Sequence, residues 1–355
     1  MIGNFPYLHI GCYGGWQRWA HRPVTDLFIG NHSDGFLMKM GDEWKIWYTH
    51  VQNGKIHVAA SDDGFAWRYM SLADHPFVNE GGDYRCAITR RADLGWACLT
   101  CHPWVIRTEE GYRMYFTGIS ELKRENPRSV IGVAFSKDGA HWEPAYQCVL
   151  EPDGAAEENR VAFPMVCYEN GEYRMWYTAA GQDRPSFIAA ARSKDGLHWE
   201  KEPAPVWNPQ AQYERWGAEA PCVVFEDDWY YMAYAAWEDE YKSRICLLRS
   251  KNGLDNWQSH RDNPIITWGT AGTWDVESVF SPRLLKADDE WRIYYTGRRQ
   301  QNTAIGMVFR KGSLCGKEEA WKCEKPIRCT LAVRPDGVVI RTIRSWETIT
   351  ARPTI

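Results

Sequence analysis

The sequence predicts an all-β fold, a five-bladed β-propeller of four-stranded antiparallel blades, on three observations. One strand–turn–strand pattern recurs five times, the copies share one register, and their spacing suits a blade. The copies read FLMKMGDEWKIWYTH (36–50), PWVIRTEEGYRMYFTG (103–118), PMVCYENGEYRMWYTA (164–179), PCVVFEDDWYYMAYAA (221–236) and PRLLKADDEWRIYYTG (282–297). Each sets an apolar strand before a short acidic or Gly turn and an aromatic-rich strand after it, the signature of a β-hairpin.

Eleven residues separate Pro103 from Met114, and the same eleven separate Pro164 from Met175, Pro221 from Met232 and Pro282 from Ile293. Counting back eleven from Ile46 reaches Gly35, so blades begin near 35, 103, 164, 221 and 282, at intervals of 68, 61, 57 and 61 residues. Four strands with their turns need roughly 40 residues, so each interval holds one blade with longer loops. A two-sheet sandwich would show turn signals without such long-period self-similarity.

A third strand follows in four copies and ends in SDDGFAW (61–67), SKDGAHW (136–142), SKDGLHW (193–199) or SKNGLDNW (250–257). Asp-Gly or Asn-Gly supplies the positive-φ turn, and the Trp opens an outer strand that packs between neighbouring sheets. These turns resemble the Asp boxes of sialidases, and their position between outer strands makes them structural. No linker interrupts the series, so residues 1–355 read as one domain. A last hairpin at 328–343 is expected to complete or cover the final blade, helped by the N-terminal strand.

Composition narrows the function. A formal charge of −4 without a basic stripe argues against nucleic acid. No run approaches the roughly 18 apolar residues of a membrane span. The opening Met1-Ile2-Gly3-Asn4-Phe5-Pro6 lacks the basic and apolar regions of a signal peptide, so the expected location is cytoplasmic. Eleven Cys in no regular framework are expected to be reduced thiols. The ten His show no metal-ligand spacing, so neither metal nor cofactor is expected. Oligomeric state is left open. Twenty Trp and eighteen Tyr fill a large core and leave flat faces on which a sugar or base can stack.

In a propeller the first strands of all blades line one channel, and their first residues converge at one mouth. Two places before the aligned Pro or Gly stand Ser33, Cys101, Ala162, Glu219 and Phe280; one place before it stand Asp34, His102, Phe163, Ala220 and Ser281. Two acids, Asp34 and Glu219, are therefore expected in one funnel. Glycosidic cleavage needs such a pair, one protonated to serve the leaving oxygen and one ionised as base or nucleophile.

The five-fold pattern with these two acids resembles the propeller glycoside hydrolases of families 32, 43, 68 and 130. In family 32 an Asn-Asp-Pro on the first blade supplies the nucleophile, an Arg-Asp-Pro follows two blades later, and a Glu-Cys-Pro one blade further supplies the acid. By this resemblance Asp34 matches the first Asp, and Glu219-Ala220-Pro221 matches Glu-Cys-Pro, at the same offsets. The middle Asp falls on Phe163, Ser33 replaces the Asn, and Gly35 replaces the Pro. These departures set the chain apart from a conventional fructosidase or arabinanase.

The remaining candidates are substrate-binding groups. His102 lies at the depth of Asp34 and is able to hold a hydroxyl or a phosphate. Glu158 and Arg160 stand just before the position of the missing Asp. Asp275 and Glu277 lead into the fifth blade, and Arg283 and Arg298 suit an anionic group. The implied activity is cleavage of a glycosidic bond in a small oligosaccharide or glycoconjugate, by a glycoside hydrolase or phosphorylase acting on a carbohydrate-like small molecule. The alternative is a propeller that binds a sugar or nucleotide-like ligand, or catalyses another reaction in a specialised pathway, with His102 and the remaining acids.

Overall fold

A computed structural model describes residues 11–20, 22–25, 31–70, 86–120, 127–143, 145–181, 185–287, 289–314, 320–321, 333–334 and 337–338. It is all-β. The helical pieces among them are one short α-helix, Gly154–Glu157, and 3-10 turns at Ala92–Leu94 and Gln212–Glu214.

Each sequence repeat forms an antiparallel sheet, here units I to V. Unit I comprises His32–Met40, Glu43–His50, Lys55–Ser61 and Arg68–Tyr69, with Cys86–Ile88 also on its third strand. Unit II comprises Leu99–Thr108, Gly111–Ile119, Ser129–Ser136 and Gln147–Leu150. Unit III comprises Arg160–Glu169, Glu172–Ala180, Phe187–Ser193 and Glu200–Lys201, and one parallel bridge from Arg160 to Ser129 joins it to unit II. Unit IV comprises Gly217–Glu226, Trp229–Trp237, Ser243–Ser250 and Gln258–Ser259. Unit V comprises Ser278–Ala287, Glu290–Arg299 and Asn302–Lys311, with Gln17–Arg18 from the N-terminal region as its outer strand. The expected help from that region is therefore given to the last unit.

The five first strands pack side by side in the order I, II, III, IV, V, and V packs back on I, although none of the sheets closes by hydrogen bonds. The core explains why the units dock. On the second strands, Trp47 donates to the Gly139 carbonyl (3.1 Å), Tyr115 to Gly196 (2.9 Å), Trp176 to Gly253 (2.7 Å) and Tyr294 to Gly64 (3.2 Å). The acceptor is always the Gly of the next unit's outer turn, and unit V reaches round to unit I. Unit IV, whose neighbour has no such turn, carries Ala233 at the equivalent place. A buried aromatic donor thus finds its partner across the seam, where apolar packing alone would leave it unsatisfied.

The outer turns are built as expected. Trp67 and Trp142 are buried, and the eight described cysteines, Cys12, Cys86, Cys98, Cys101, Cys148, Cys167, Cys222 and Cys246, are free thiols. Cys98 and Cys101 form a Cys-x-x-Cys spacing, but an odd separation along an extended chain sends them to opposite faces: Cys98 faces the Gly95 carbonyl and Cys101 is buried. Of the expected hairpin at 328–343, Val333–Arg334 pairs with Gly337–Val338 in a separate small sheet; the rest lies outside the described residues, as do Cys315, Cys323, Cys329 and residues 1–10. Among the described residues no helix is long and apolar enough to cross a membrane.

Candidate active site

Each first strand carries an irregularity at the same place, with register shifting between Ser33 and Phe36, Cys101 and Trp104, Ala162 and Met165, Glu219 and Cys222, and Phe280 and Arg283. Such a bulge re-aims side chains that regular pairing would alternate across the sheet. One residue within each bulge is left-handed: Asp34 (φ 56°), His102 (54°), Phe163 (52°), Ala220 (54°) and Ser281 (49°). Left-handed backbone costs a side-chain-bearing residue roughly 1–2 kcal/mol, so the surroundings must hold it. In four units a threonine of the preceding unit does so. The N–H of Asp34 donates to Thr296 Oγ1 (2.9 Å), that of His102 to Thr49 (3.0 Å), that of Phe163 to Thr117 (3.0 Å) and that of Ala220 to Thr178 (2.9 Å). These threonines fall at one position of the aligned repeats, where unit IV has Ala235. The signal was present in the sequence.

The five left-handed residues line one cavity of about 40 Å3 together with the Gly or Pro that follows each, Phe36, Trp104 and Arg283. That volume holds one or a few waters. The residues one place before each aligned Pro or Gly thus share one cavity, whereas those two places before it, Glu219 among them, do not line it. Asp34 is largely buried; the Ser33 hydroxyl donates to its Oδ2 (2.6 Å) and the Ser281 hydroxyl to its Oδ1. His102 lies flat on Phe163, ring centroids 3.5 Å apart, with Nδ1 3.0 Å from Thr117 Oγ1 and Nε2 3.6 Å from Asp34 Oδ2. Burial pushes its pKa below the ordinary imidazole value; Asp34 opposes this, Arg160 adds to it and Glu219 opposes it.

Glu219, 8% exposed, sits one residue before the cavity-lining Ala220. Arg160 grips it with two nitrogens, Nη1 at 2.8 Å from Oε1 and Nη2 at 3.3 Å from Oε2, and the Ser186 hydroxyl donates to Oε1 (2.8 Å). Gly217 makes room: a Cβ there would meet Ser186 Oγ at 1.8 Å. Ser186 stands seven residues before the outer-turn Ser193, as Ser129 stands before Ser136 and Ser243 before Ser250, so its position repeats and was legible in the sequence.

The other candidates separate. Arg283 lines the cavity, its guanidinium 4.4 Å from the Phe36 ring and 4.3 Å from that of Trp104. Glu158 ends the short helix two residues before Arg160 and does not line the cavity. Asp275, expected at the rim, is instead 1% exposed, ion-paired with Arg18 and accepting from the Tyr295 hydroxyl (2.9 Å). Arg18 is 257 residues away in sequence, so nothing local announced the pair. Glu277 accepts the Gln300 N–H (2.7 Å), and Arg298 donates to the Tyr241 carbonyl beside the Trp237 and Tyr241 rings; neither lines the cavity.

Comparison with known proteins bears on the fold and the superfamily. Residues 180–252, about one fifth of the chain, match the glycoside hydrolase family 130 model described as β-1,4-mannooligosaccharide phosphorylase. An uncharacterized protein of Mycobacterium tuberculosis is 27% identical over 58% of this chain and 69% of its own length. A β-1,2-mannobiose phosphorylase of a Thermoanaerobacter species is 31% identical over 30% of this chain and 39% of its own. A solved thermostable family-43 glycoside hydrolase superposes with TM-score 0.61 at 15% identity, over 78% of this chain and 88% of that one. The chain thus has the fold of the propeller glycoside hydrolases and resembles them at the level of the superfamily, its likeness to family 130 being carried by residues 180–252.

Proposed function

We propose that the chain is a single five-bladed β-propeller, with units I to V as four-stranded blades, and that it cleaves a glycosidic bond in a small oligosaccharide by hydrolysis or phosphorolysis. The observation that carries the chemistry is geometric: Asp34 lines the cavity with His102 Nε2 3.6 Å from its Oδ2, and Glu219 directly precedes the cavity-lining Ala220. Asp34 is the base or nucleophile. Two serine hydroxyls donate to it, which suits a carboxylate that accepts a proton from an attacking water or phosphate. Glu219 is the acid. Its oxygens are engaged by Arg160 and Ser186, so delivery of a proton to a leaving oxygen requires Arg160 to swing away; the Arg160 side chain is 36% exposed and has room to do so. His102, Arg160 and Arg283 are proposed to contact the substrate, with Glu158, Glu277 and Arg298 farther out, since none of the three lines the cavity.

The relatives' names make mannose disaccharides the first substrates to try. Purified protein would be incubated with β-1,2- and β-1,4-mannobiose, with and without inorganic phosphate, and assayed for mannose and mannose 1-phosphate. Activity that Glu219→Gln lowers at least about 100-fold supports the reading. Cleavage that survives substitution of both acids overturns it.

A further inference from the structure

Thr117 differs from the other threonines of the ring in having an imidazole beside it. Its Oγ1 accepts the Phe163 N–H (3.0 Å), as the others accept from their neighbours, and its own hydrogen remains for a second bond. His102 Nδ1 lies 3.0 Å away. If that hydrogen points to Nδ1, the ring proton must sit on Nε2. The far side of the ring favours the same choice. Nε2 faces Asp34 Oδ2 at 3.6 Å, where a bare lone pair would confront a carboxylate and an N–H would not. This span is too long for a good direct hydrogen bond, yet a hydroxyl oxygen about 2.8 Å from both atoms fits above it. Both residues line the one cavity.

We propose that His102 and Asp34 form a single hydroxyl-binding dyad, in which Thr117 holds His102 as the Nε2–H tautomer, Nε2–H donates to a hydroxyl oxygen, and Asp34 accepts that hydroxyl's proton. The ligand class is a neutral alcohol: a sugar hydroxyl or a water. The inference deepens the proposed function and rests on Asp34 as the base of that site. Phe163, which stands where related enzymes carry an acid, supplies the flat surface that keeps the ring in this plane. The charges facing His102 are Asp34, Glu219 and Arg160, and burial outweighs the two acids in keeping the imidazole neutral.

The test uses full-length protein labelled with 15N-histidine. Long-range 1H–15N correlations near neutral pH report the tautomer, and His102→Gln identifies the resonance. The expected pattern is Nε2–H in the wild type, a mixture of tautomers in Thr117→Val, and an unchanged tautomer in Thr178→Val, which loses the same backbone acceptor without a histidine beside it. Loss of the oriented donor should weaken mannobiose turnover about three- to tenfold in Thr117→Val. An Nε2 resonance that moves on adding β-1,2-mannobiose assigns the hydroxyl to the sugar, and one that stays Nε2–H but unmoved assigns it to water. A wild-type Nδ1–H tautomer or imidazolium overturns the dyad. The tautomer is read without turnover, so an inactive protein would defeat the proposed function alone, whereas a wrong tautomer in an active one would defeat this inference alone.

Discussion

In the four outer turns the backbone and the side chains repeat together, whereas in the first-strand ring only the backbone repeats. Ser61, Ser136, Ser193 and Ser250 each accept from the N–H groups two and three residues on. Asp63, Asp138, Asp195 and Asn252 do the same with Oδ1. The ring has five left-handed residues within a few degrees of one another in φ, yet these are Asp, His, Phe, Ala and Ser. A side chain that serves the backbone is the same in every copy, because every copy poses the same backbone problem. A side chain freed from that duty by the neighbouring threonine diverges, and divergence at a fixed geometry is what an asymmetric substrate requires. The repeated acids therefore serve the scaffold, whereas Asp34 and Glu219, which do not repeat, are the two proposed for the chemistry.

The largest effect should come from making one small substitution in both places. Asp34→Asn keeps size and hydrogen-bonding capacity but removes the charge that accepts a proton. Turnover of whichever mannobiose is cleaved should fall about 10²- to 10⁴-fold, with the urea midpoint held at the wild-type value. A variant that unfolds early and regains activity when stabilised by osmolyte would put Asp34 among the scaffold acids and break the comparison.

Much of this was legible in the sequence, for a physical reason. Strand, turn and bulge are local devices repeated at a fixed offset, so counting eleven residues back from each aromatic strand located both acids and His102. What the repeat does not contain could not be counted. Arg160 lies three residues before Phe163, the place of the missing acid, and its bidentate grip on Glu219 depends on the packing of unit III against unit IV. Asp275 looked like a rim acid because its partner, Arg18, comes from the far end of the chain. Ser186 repeats at the place of Ser129 and Ser243, but those hydroxyls donate to the Val161 and Val279 carbonyls, whereas its own donates to the Glu219 carboxylate. Long-range pairing is the part of the site that only the folded chain reveals.

The comparison has a pH form with an intermediate effect. Asp195 is held below the usual carboxylate range by the His198 N–H, the His198 side chain and the Leu197 N–H. Asp138 is held low against the effect of burial by the His141 side chain and the N–H groups of His141 and Ala140. Carboxylates shifted down contribute stability above their ordinary pKa and lose it only as pH falls below that value. Buried histidines shifted down act earlier. Burial lowers His260 to about 4, with Asp262 opposing and Arg310, Arg261 and Arg249 reinforcing. Between about pH 6.5 and this value the unfolded chain binds a proton that the folded chain refuses, so stability rises with pH across the window and is fully present above it. Urea unfolding should show a loss of about 2–3 kcal/mol from His260 between neutral pH and pH near 4, with His102 adding in the same direction. His260→Gln should remove its share; equal acid losses in wild type and variant would assign the effect elsewhere.

The smallest effect tests the scaffold half of the comparison and uses a control that the chain itself provides. Asp138 Oδ1 accepts from the N–H groups of Ala140 and His141, both at 2.8 Å, and its Oδ2 lies 2.7 Å from His141 Nδ1. Removing the side chain in Asp138→Ala leaves those two donors to water and should cost about 1 kcal/mol, as loss of a similar capping side chain does. Unit IV shows that the charge is not needed. Asn252 stands at the equivalent position and accepts from Leu254 and Asp255, both at 3.0 Å, with a neutral amide oxygen. Asp138→Asn should therefore lie closer to wild type than Asp138→Ala near neutral pH, losing only what the charge adds to the Oδ1 hydrogen bonds and to the partly exposed His141 contact. Turnover should be wild-type in both variants. The same Asp→Asn change would then be nearly silent in an outer turn and inactivating in the ring, which separates a carboxylate kept for its oxygen from one kept for its charge. An Asp138→Asn protein as unstable as Asp138→Ala would show that charge matters in the turns as well, and the repeated acids would lose their standing as interchangeable scaffold.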